Sequence, residues 1–115
     1  MQYIKFNETN YIEIDEMCAE WIYPVKSETI NFGVIKINGR NPKTGYQLNE
    51  RIQMLVYIIE GTGNLSIKNE VTFPFKEKDM FLIDKNESYY FEGNFKASLS
   101  CAPAWTKEQH KKVEE

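Results

Sequence analysis

The fold is decided by residues 45–63, which read GYQLNERIQMLVYIIEGTG. Within this stretch, residues 54–59 are apolar at every position, and the sequence Gly61-Thr62-Gly63 that follows is typical of a turn. A strand with one face in solvent does not need apolar residues at every position. We therefore expect a strand that is covered on both faces, either by an opposite sheet or by a second subunit.

Short segments with two-residue alternation surround this strand and predict further strands. The alternating apolar sets include Ile30, Phe32 and Val34, then Val71, Phe73 and Phe75, then Phe95, Ala97, Leu99 and Cys101. Turn sequences such as Asn38-Gly39 separate these segments, so the pattern favours an all-β sandwich or barrel. Ile35 and Ile37 fall out of phase with the first set, which predicts a bulge or a second buried face. Together with residues 54–59, this favours a homodimer.

One helix is predicted, at the end of the chain. Thr106 can cap residues 107–113, and Gln109 lies at the position that completes a capping box. Polar neighbours surround His110 on this helix, so we expect its imidazole to face solvent. The acidic residues near the other end of the chain are likewise predicted to form a solvated face: Glu13, Asp15, Glu16 and Glu20.

Length and charge set further limits. The 115 residues predict a single domain spanning 1–115. The net charge is −3, and no basic stripe interleaves with aromatic residues, so nucleic-acid binding is not expected. Nowhere does an apolar run approach the roughly 20 residues of a membrane helix. The first residues do not resemble a secretory leader, and Cys18 and Cys101 are expected to be reduced, so a cytoplasmic location is predicted.

The sequence resembles the cupin superfamily over residues 30–105. The segment VYIIEGTG at residues 56–63 is similar to the end of the first cupin motif, and KDMFLI at 78–83 to the start of the second. Residues 99–110, LSCAPAWTKEQH, resemble the tail of small single-domain cupins. The resemblance implies an all-β, double-stranded β-helix, which is a jelly-roll barrel, with a short C-terminal helix.

Cupins that bind a metal use two histidines and a glutamate from the first motif and one histidine from the second. At those positions this chain has Gln47, Asn49, Gln53 and Tyr89; a register shifted by one residue gives Tyr46 and Leu48. Transition metals prefer imidazole and carboxylate ligands, whereas amides offer only neutral oxygens. A phenol with a pKa of about 10 is a poor ligand at neutral pH. The resemblance therefore implies neither a bound metal nor another cofactor.

The same residues predict a ligand site instead. Tyr57 shares the alternation of Gln53 and is expected to point inward, so the predicted binding residues are Gln47, Asn49, Gln53, Tyr57 and Tyr89. Amides and phenols suit a small polar molecule with hydroxyl or carbonyl groups, such as a sugar or another metabolite.

Two alternatives stay open at the level of the sequence. In the first, the chain is a metal-independent isomerase or lyase in which a tyrosine or Glu50 carries the proton. In the second, the amides bond only to one another, the pocket is closed, and the chain is a structural or dimerisation module. Nucleophilic catalysis lacks support, because the single histidine lies on the tail and no triad can be assembled.

Overall fold

The computed structural model describes residues 1–114, so Glu115 of the predicted domain lies outside the described residues. Residues 1–114 form a nine-stranded antiparallel sheet. Its strands are β1 (Asn10–Asp15), β2 (Cys18–Tyr23), β3 (Asn31–Asn41), β4 (Tyr46–Asn49), β5 (Gln53–Ile67), β6 (Thr72–Phe75), β7 (Met80–Ile83), β8 (Tyr89–Ala102) and β9 (His110–Val113). The all-β architecture predicted from the sequence is confirmed.

Two long ladders organise the sheet around β8. On one side β8 pairs with the whole of β3, and on the other it pairs with the whole of β5. Strands β2 and β1 continue the sheet beyond β3, while β4 pairs with the start of β8 and carries β9 on its outer edge. Strand β5 carries β7 and then β6 along its free edge. The sheet therefore curls into a partial barrel with β8 at its centre.

The turn predicted at Gly61-Thr62-Gly63 is wrong, because β5 continues through it to Ile67. The pairing of β5 with β8 shifts register between Ile58 and Glu60, and Gly61 follows with a φ of 90°. Only glycine adopts this backbone region readily. The glycines bend the strand, so that its first half pairs with β7 and its second half with β6.

Alternate residues of β5 and β3 point into the interior. Val56 and Ile58 of β5 and Ile37 of β3 are completely buried, and Ile35 is 6% exposed. The register between β3 and β8 has no irregularity, so the bulge expected at Ile35 is wrong. Ile35 and Ile37 simply define the inner face of a regular strand.

An aromatic cluster fills one part of this interior. The ring of Phe75 packs edge-on against those of Phe95 and Phe91, with centroids 4.8 and 6.4 Å apart, and against Phe81 at 5.7 Å. Such geometry is favourable for aromatic pairs. Because the cluster is close-packed, space for a ligand lies elsewhere inside the sheet.

The helix expected at residues 107–113 is wrong. Within residues 1–114 the helical segments are the short 3-10 turns Phe6–Glu8 and Lys107–Gln109, and the chain continues from the second turn into β9. The Thr106 side chain makes no capping hydrogen bond. Nucleating a helix of seven residues is unfavourable, whereas β9 gains backbone pairing with β4 from Tyr46 to Asn49.

Two further predictions concern the state of the cysteines and the absence of a membrane helix. Cys18 and Cys101 are buried free thiols, as the sequence predicted. None of the helical segments described between residues 1 and 114 has the length and hydropathy to cross a membrane.

Candidate functional site

A cavity of about 510 Å³ opens on the inner face of the sheet, beside the aromatic cluster. Residues of β1, β2, β3, β4 and β8 line it, with single residues from β5, β9 and the segment before β9. Its polar groups are Glu20, Asn31, Asn41, Gln47, Asn49, Tyr89 and His110. Much of the remaining wall is aliphatic or aromatic, which is the composition expected of a small-molecule site.

Three of the five predicted binding residues line this cavity: Gln47, Asn49 and Tyr89. Gln53 does not; it is exposed and donates a hydrogen bond from Nε2 to Asp84 Oδ1 at 3.2 Å. Tyr57 is 45% exposed, so the expectation that it points inward is wrong. Because Met54, Val56 and Ile58 are the buried residues in the first half of β5, the residues that alternate with them point outward.

Asn41 and Gln47 form a pair of amides on one side of the cavity. Gln47 Nε2 donates to Asn41 Oδ1 at 2.9 Å. Among residues 1–114, Asn41 Nδ2 and Gln47 Oε1 have no hydrogen-bond partner, and neither atom is sealed away from the surface of the cavity. A donor and an acceptor are therefore presented side by side to a ligand.

Asn49 takes part in a second set of side-chain hydrogen bonds at the cavity. It is 3% exposed, and its Oδ1 accepts from Gln109 Nε2 and contacts His110 Nδ1, each at 2.9 Å. Tyr89, which is 3% exposed, lines the same cavity. Burial raises the pKa of that phenol, with a smaller contribution from Cys101, so Tyr89 stays neutral and able to donate.

Glu20 was expected on a solvated face, and that expectation is wrong. Its side chain faces the cavity from β2 and lies over Gly33, where an added Cβ would come within 3.0 Å of Oε2. Burial raises the pKa of this carboxyl above its ordinary value of 4.5. The strand alternation of Cys18, Glu20 and Ile22 could have placed Glu20 inside, but the local run of acidic residues hid that signal.

His110 was expected to face solvent, and that expectation is also wrong. It pairs with Asn49 across β4 and β9, and its ring lies 5.6 Å from the ring of Trp105 at the cavity. Burial lowers the pKa of the imidazole below 6.5, which favours the neutral form. No sequence pattern pointed to this position, because the capping-box pattern around Thr106 predicted a helix instead.

Two other titratable groups, Cys101 and Glu50, are poorly suited to a chemical role in this cavity. Burial raises the pKa of the Cys101 thiol to about 12, with a smaller contribution from Glu20, so a nucleophilic thiolate is disfavoured. Glu50, which the sequence offered as a proton carrier, is exposed and does not line the cavity.

The donor set does not fit the metal site of typical cupins. In the part of the chain that the structure describes, no three His, Cys, Asp or Glu side chains come close enough together to hold an ion. The cavity offers one imidazole and one carboxyl, and burial favours the uncharged form of that carboxyl. Amide oxygens would have to supply the remaining ligands, which is a poor set for a transition metal.

Comparison with known proteins identifies the fold. No protein-family model and no curated protein sequence matches the chain. Among solved structures it is similar to Pac13 of Streptomyces, described as a nucleoside dehydratase, with a TM-score of 0.88, 15% identity, and coverage of 99% of this chain and 92% of Pac13. A Pac13 variant was solved with uridine.

Two further structures have the same architecture at greater distance. One is an RmlC-like cupin from Shewanella frigidimarina, with a TM-score of 0.73, 15% identity, and coverage of 90% of this chain and 93% of the cupin. The other is ectoine synthase from P. lautus, with a TM-score of 0.71, 16% identity, and coverage of 98% and 90%. At these identities the likeness establishes architecture alone. The chain therefore has the cupin fold.

Proposed function

We propose that this protein binds a small polar molecule of about nucleoside size in the cavity and acts on it by acid–base chemistry. One observation supports this above the others: the Glu20 carboxyl and the His110 imidazole face one cavity, and burial shifts their pKa values in opposite directions. Titratable groups perturbed in this way are concentrated at functional sites. The similarity of fold to Pac13, a nucleoside dehydratase, supports the substrate size.

The two shifts suit complementary roles. A neutral imidazole can accept a proton from a ligand carbon or hydroxyl, and a protonated carboxyl can donate one to a departing or newly formed oxygen. In an elimination, His110 would take a proton from carbon, the C–O bond would break, and Glu20 would protonate the leaving hydroxyl to give water. In an isomerisation the same two groups would move a proton between atoms of one ligand. Such reactions are those of lyases and isomerases.

The remaining lining residues indicate the shape of the ligand. Apolar side chains such as Ile22, Ile35 and Phe91 suit the face of a ring, and Trp105 lies beside His110. The amides of Asn41 and Gln47 suit hydroxyl or carbonyl groups. A sugar, a nucleoside or another hydroxylated metabolite combines these features.

The ligand is tested with uridine and a panel of nucleosides, sugars and organic acids as probes. A compound at about 100 times its dissociation constant stabilises the folded state by about 2.7 kcal/mol, which a thermal-shift assay resolves. We expect a nucleoside to raise the melting temperature of the wild type and of the Gln53→Ala control, but less that of Gln47→Leu. If no nucleoside or sugar raises it at millimolar concentration, the proposed ligand class is wrong.

Mass spectrometry of the same mixtures tests turnover. Loss of water or a change of isomer supports the acid–base proposal. Binding without any change in the compound supports the alternative in which the protein is a binding module. The third alternative, a module with a closed pocket, gains no support from a cavity of about 510 Å³.

We also propose that a second copy of the chain covers the outer face of β5 and β7. Five large apolar side chains on these strands are 40–53% exposed: Leu55, Tyr57, Ile59, Met80 and Leu82. They carry no charge, and Glu60 and Lys96 beside them pair with each other at 3.4 Å, so the surface offered to a second copy around a twofold axis is apolar. The two buried free cysteines support the cytoplasmic location that we propose.

Light scattering tests this dimer. We expect a dimer for the wild type and for Gln53→Lys, and a monomer for Leu55→Lys, because a lysine at the centre of the apolar surface would be buried without a partner. A wild type that is monomeric at micromolar concentration would contradict the proposal.

A further inference from the structure

A buried chain of side-chain hydrogen bonds leads from the backbone to His110. Gln109 is 1% exposed, which places it among the most deeply buried side chains described, and Asn49 is 3% exposed. Gln109 Oε1 accepts from the backbone N–H of Arg51 at 3.3 Å, and Gln109 Nε2 donates to the carbonyl of Thr106 at 3.2 Å. Polar side chains this deeply buried need such partners, and here the partners also fix the orientation of the Gln109 amide.

The two backbone groups determine which end of the Gln109 amide is which. A backbone N–H can only donate and a backbone carbonyl can only accept, so Oε1 must face Arg51 and Nε2 must face Thr106. The second N–H of Gln109 Nε2 then points to Asn49 at 2.9 Å, and the receiving atom must be the oxygen Oδ1. The orientation of the Asn49 amide thus follows from the backbone through Gln109.

The orientation of Asn49 in turn determines the tautomer of His110. Asn49 Oδ1 carries no proton, so at 2.9 Å from it His110 Nδ1 must be the donor. In the neutral imidazole the other nitrogen, Nε2, then has a free lone pair. Among residues 1–114 Nε2 has no hydrogen-bond partner, and it is not sealed from solvent or cavity.

We propose that Gln109 and Asn49 are positioning residues that hold His110 as its Nδ1–H tautomer, so that Nε2 accepts a hydrogen bond or a proton from the ligand. This inference rests on the proposed function only for the ligand. The phenol of Tyr89 lines the same cavity and, because burial raises its pKa, keeps a proton that it can donate to the ligand. The site therefore selects a ligand that presents a donor to His110 beside an acceptor for Tyr89.

Nitrogen NMR tests the tautomer directly, because the chain contains a single histidine. In the free wild type, at a pH well above 6.5, we expect a protonated Nδ1 and an unprotonated Nε2. Asn49→Asp retains an acceptor of the same shape, so Nδ1–H should persist while the pKa of the imidazole rises. A wild-type spectrum with the proton on Nε2 would overturn the proposal.

Gln109→Met separates positioning from a simple structural role. A methionine has a similar length but cannot donate to Asn49, so the orientation of the Asn49 amide is no longer fixed and we expect part of the His110 proton to move to Nε2. Gln53→Met makes the same change at an exposed site and should leave the tautomer unchanged. If the proton stays wholly on Nδ1 in folded Gln109→Met, Gln109 has no positioning role; if that variant does not fold, the wild-type spectrum and Asn49→Asp decide.

These spectra need no ligand, so they are independent of the proposed function. The expected tautomer together with a failure of every probe would refute the ligand proposal and leave the positioning role in place. Nucleoside binding to a protein whose His110 carries its proton on Nε2 would support the ligand proposal and refute the positioning role.

Discussion

Replacing Glu20 by glutamine is expected to abolish turnover while making the protein more stable at neutral pH. Burial raises the pKa of the Glu20 carboxyl above 4.5, so the folded chain binds this proton more tightly than the unfolded chain does. The burial cost is absent below the unfolded pKa and appears as pH rises through the folded pKa. Glu20→Gln removes that cost, so we expect a gain of about 0.5–2 kcal/mol, the range that single stabilising substitutions commonly give.

The expected loss of turnover also follows from the protonated state of the Glu20 carboxyl. A glutamine has the shape of a protonated carboxyl but cannot donate an acidic proton, and removing a general acid typically costs about 10²–10⁴-fold in rate. Denaturant unfolding at neutral pH and well below 4.5, with turnover of whichever probe the wild type converts, measures both effects. Glu50→Gln, on an exposed side chain, should change neither. A Glu20→Gln protein that keeps full activity would remove Glu20 from the mechanism.

Replacing Gly63 by alanine is expected to destabilise the fold by about 3 kcal/mol, since it forces an extra carbon into closely packed strands. A Cβ at this position would lie 2.5 Å from the backbone oxygen of Glu92 and 2.8 Å from the ring of Phe75. The backbone of β8 cannot move away without breaking its pairing with β5 and β3. The ring of Phe75 is held in turn by Phe91 and Phe95. Chemical unfolding of the purified variant measures the loss.

Gly33→Ala is the matched control for this substitution. A Cβ at Gly33 would lie 3.0 Å from Glu20 Oε2 and 3.3 Å from the backbone oxygen of Trp21, and the carboxyl is the end of a flexible side chain. We expect this variant to lose about 1 kcal/mol at most and to shift the Glu20 carboxyl instead. Equal stability of Gly63→Ala and wild type would mean that β5 and β8 do not approach as closely as described.

The apolar strands of the fold were predictable because their pattern is local. Val56 and Ile58 lie in the apolar run 54–59, which predicted a strand that the following glycines would end. Both residues are completely buried, but the other face of the strand is 40–45% exposed, so within the chain only one face is covered. The same glycines were misread as a turn, since Gly61 and Gly63 serve a bend within a strand as well as they serve a hairpin. Whether a bend or a hairpin turn forms depends on the partner strand, and the local sequence does not contain that information.

The candidate site was predictable only in part. Gln47, Asn49 and Tyr89 were found because the resemblance to cupins assigned them to the barrel interior, and the structure places them at the cavity. Glu20 and His110 were missed. His110 is brought to the site by the pairing of β9 with β4, which joins residues about 60 positions apart. Tertiary pairing of this kind overrides the local capping signal that predicted a helix.

The most direct test of the central claim is an NMR titration of Glu20 and His110 in the wild type. We expect the pKa of the Glu20 carboxyl to lie above 4.5 and that of the His110 imidazole to lie below 6.5, because both side chains line one partly desolvated cavity. Ordinary values for both groups would show that the cavity does not separate them from water, and would contradict the acid and base roles assigned here.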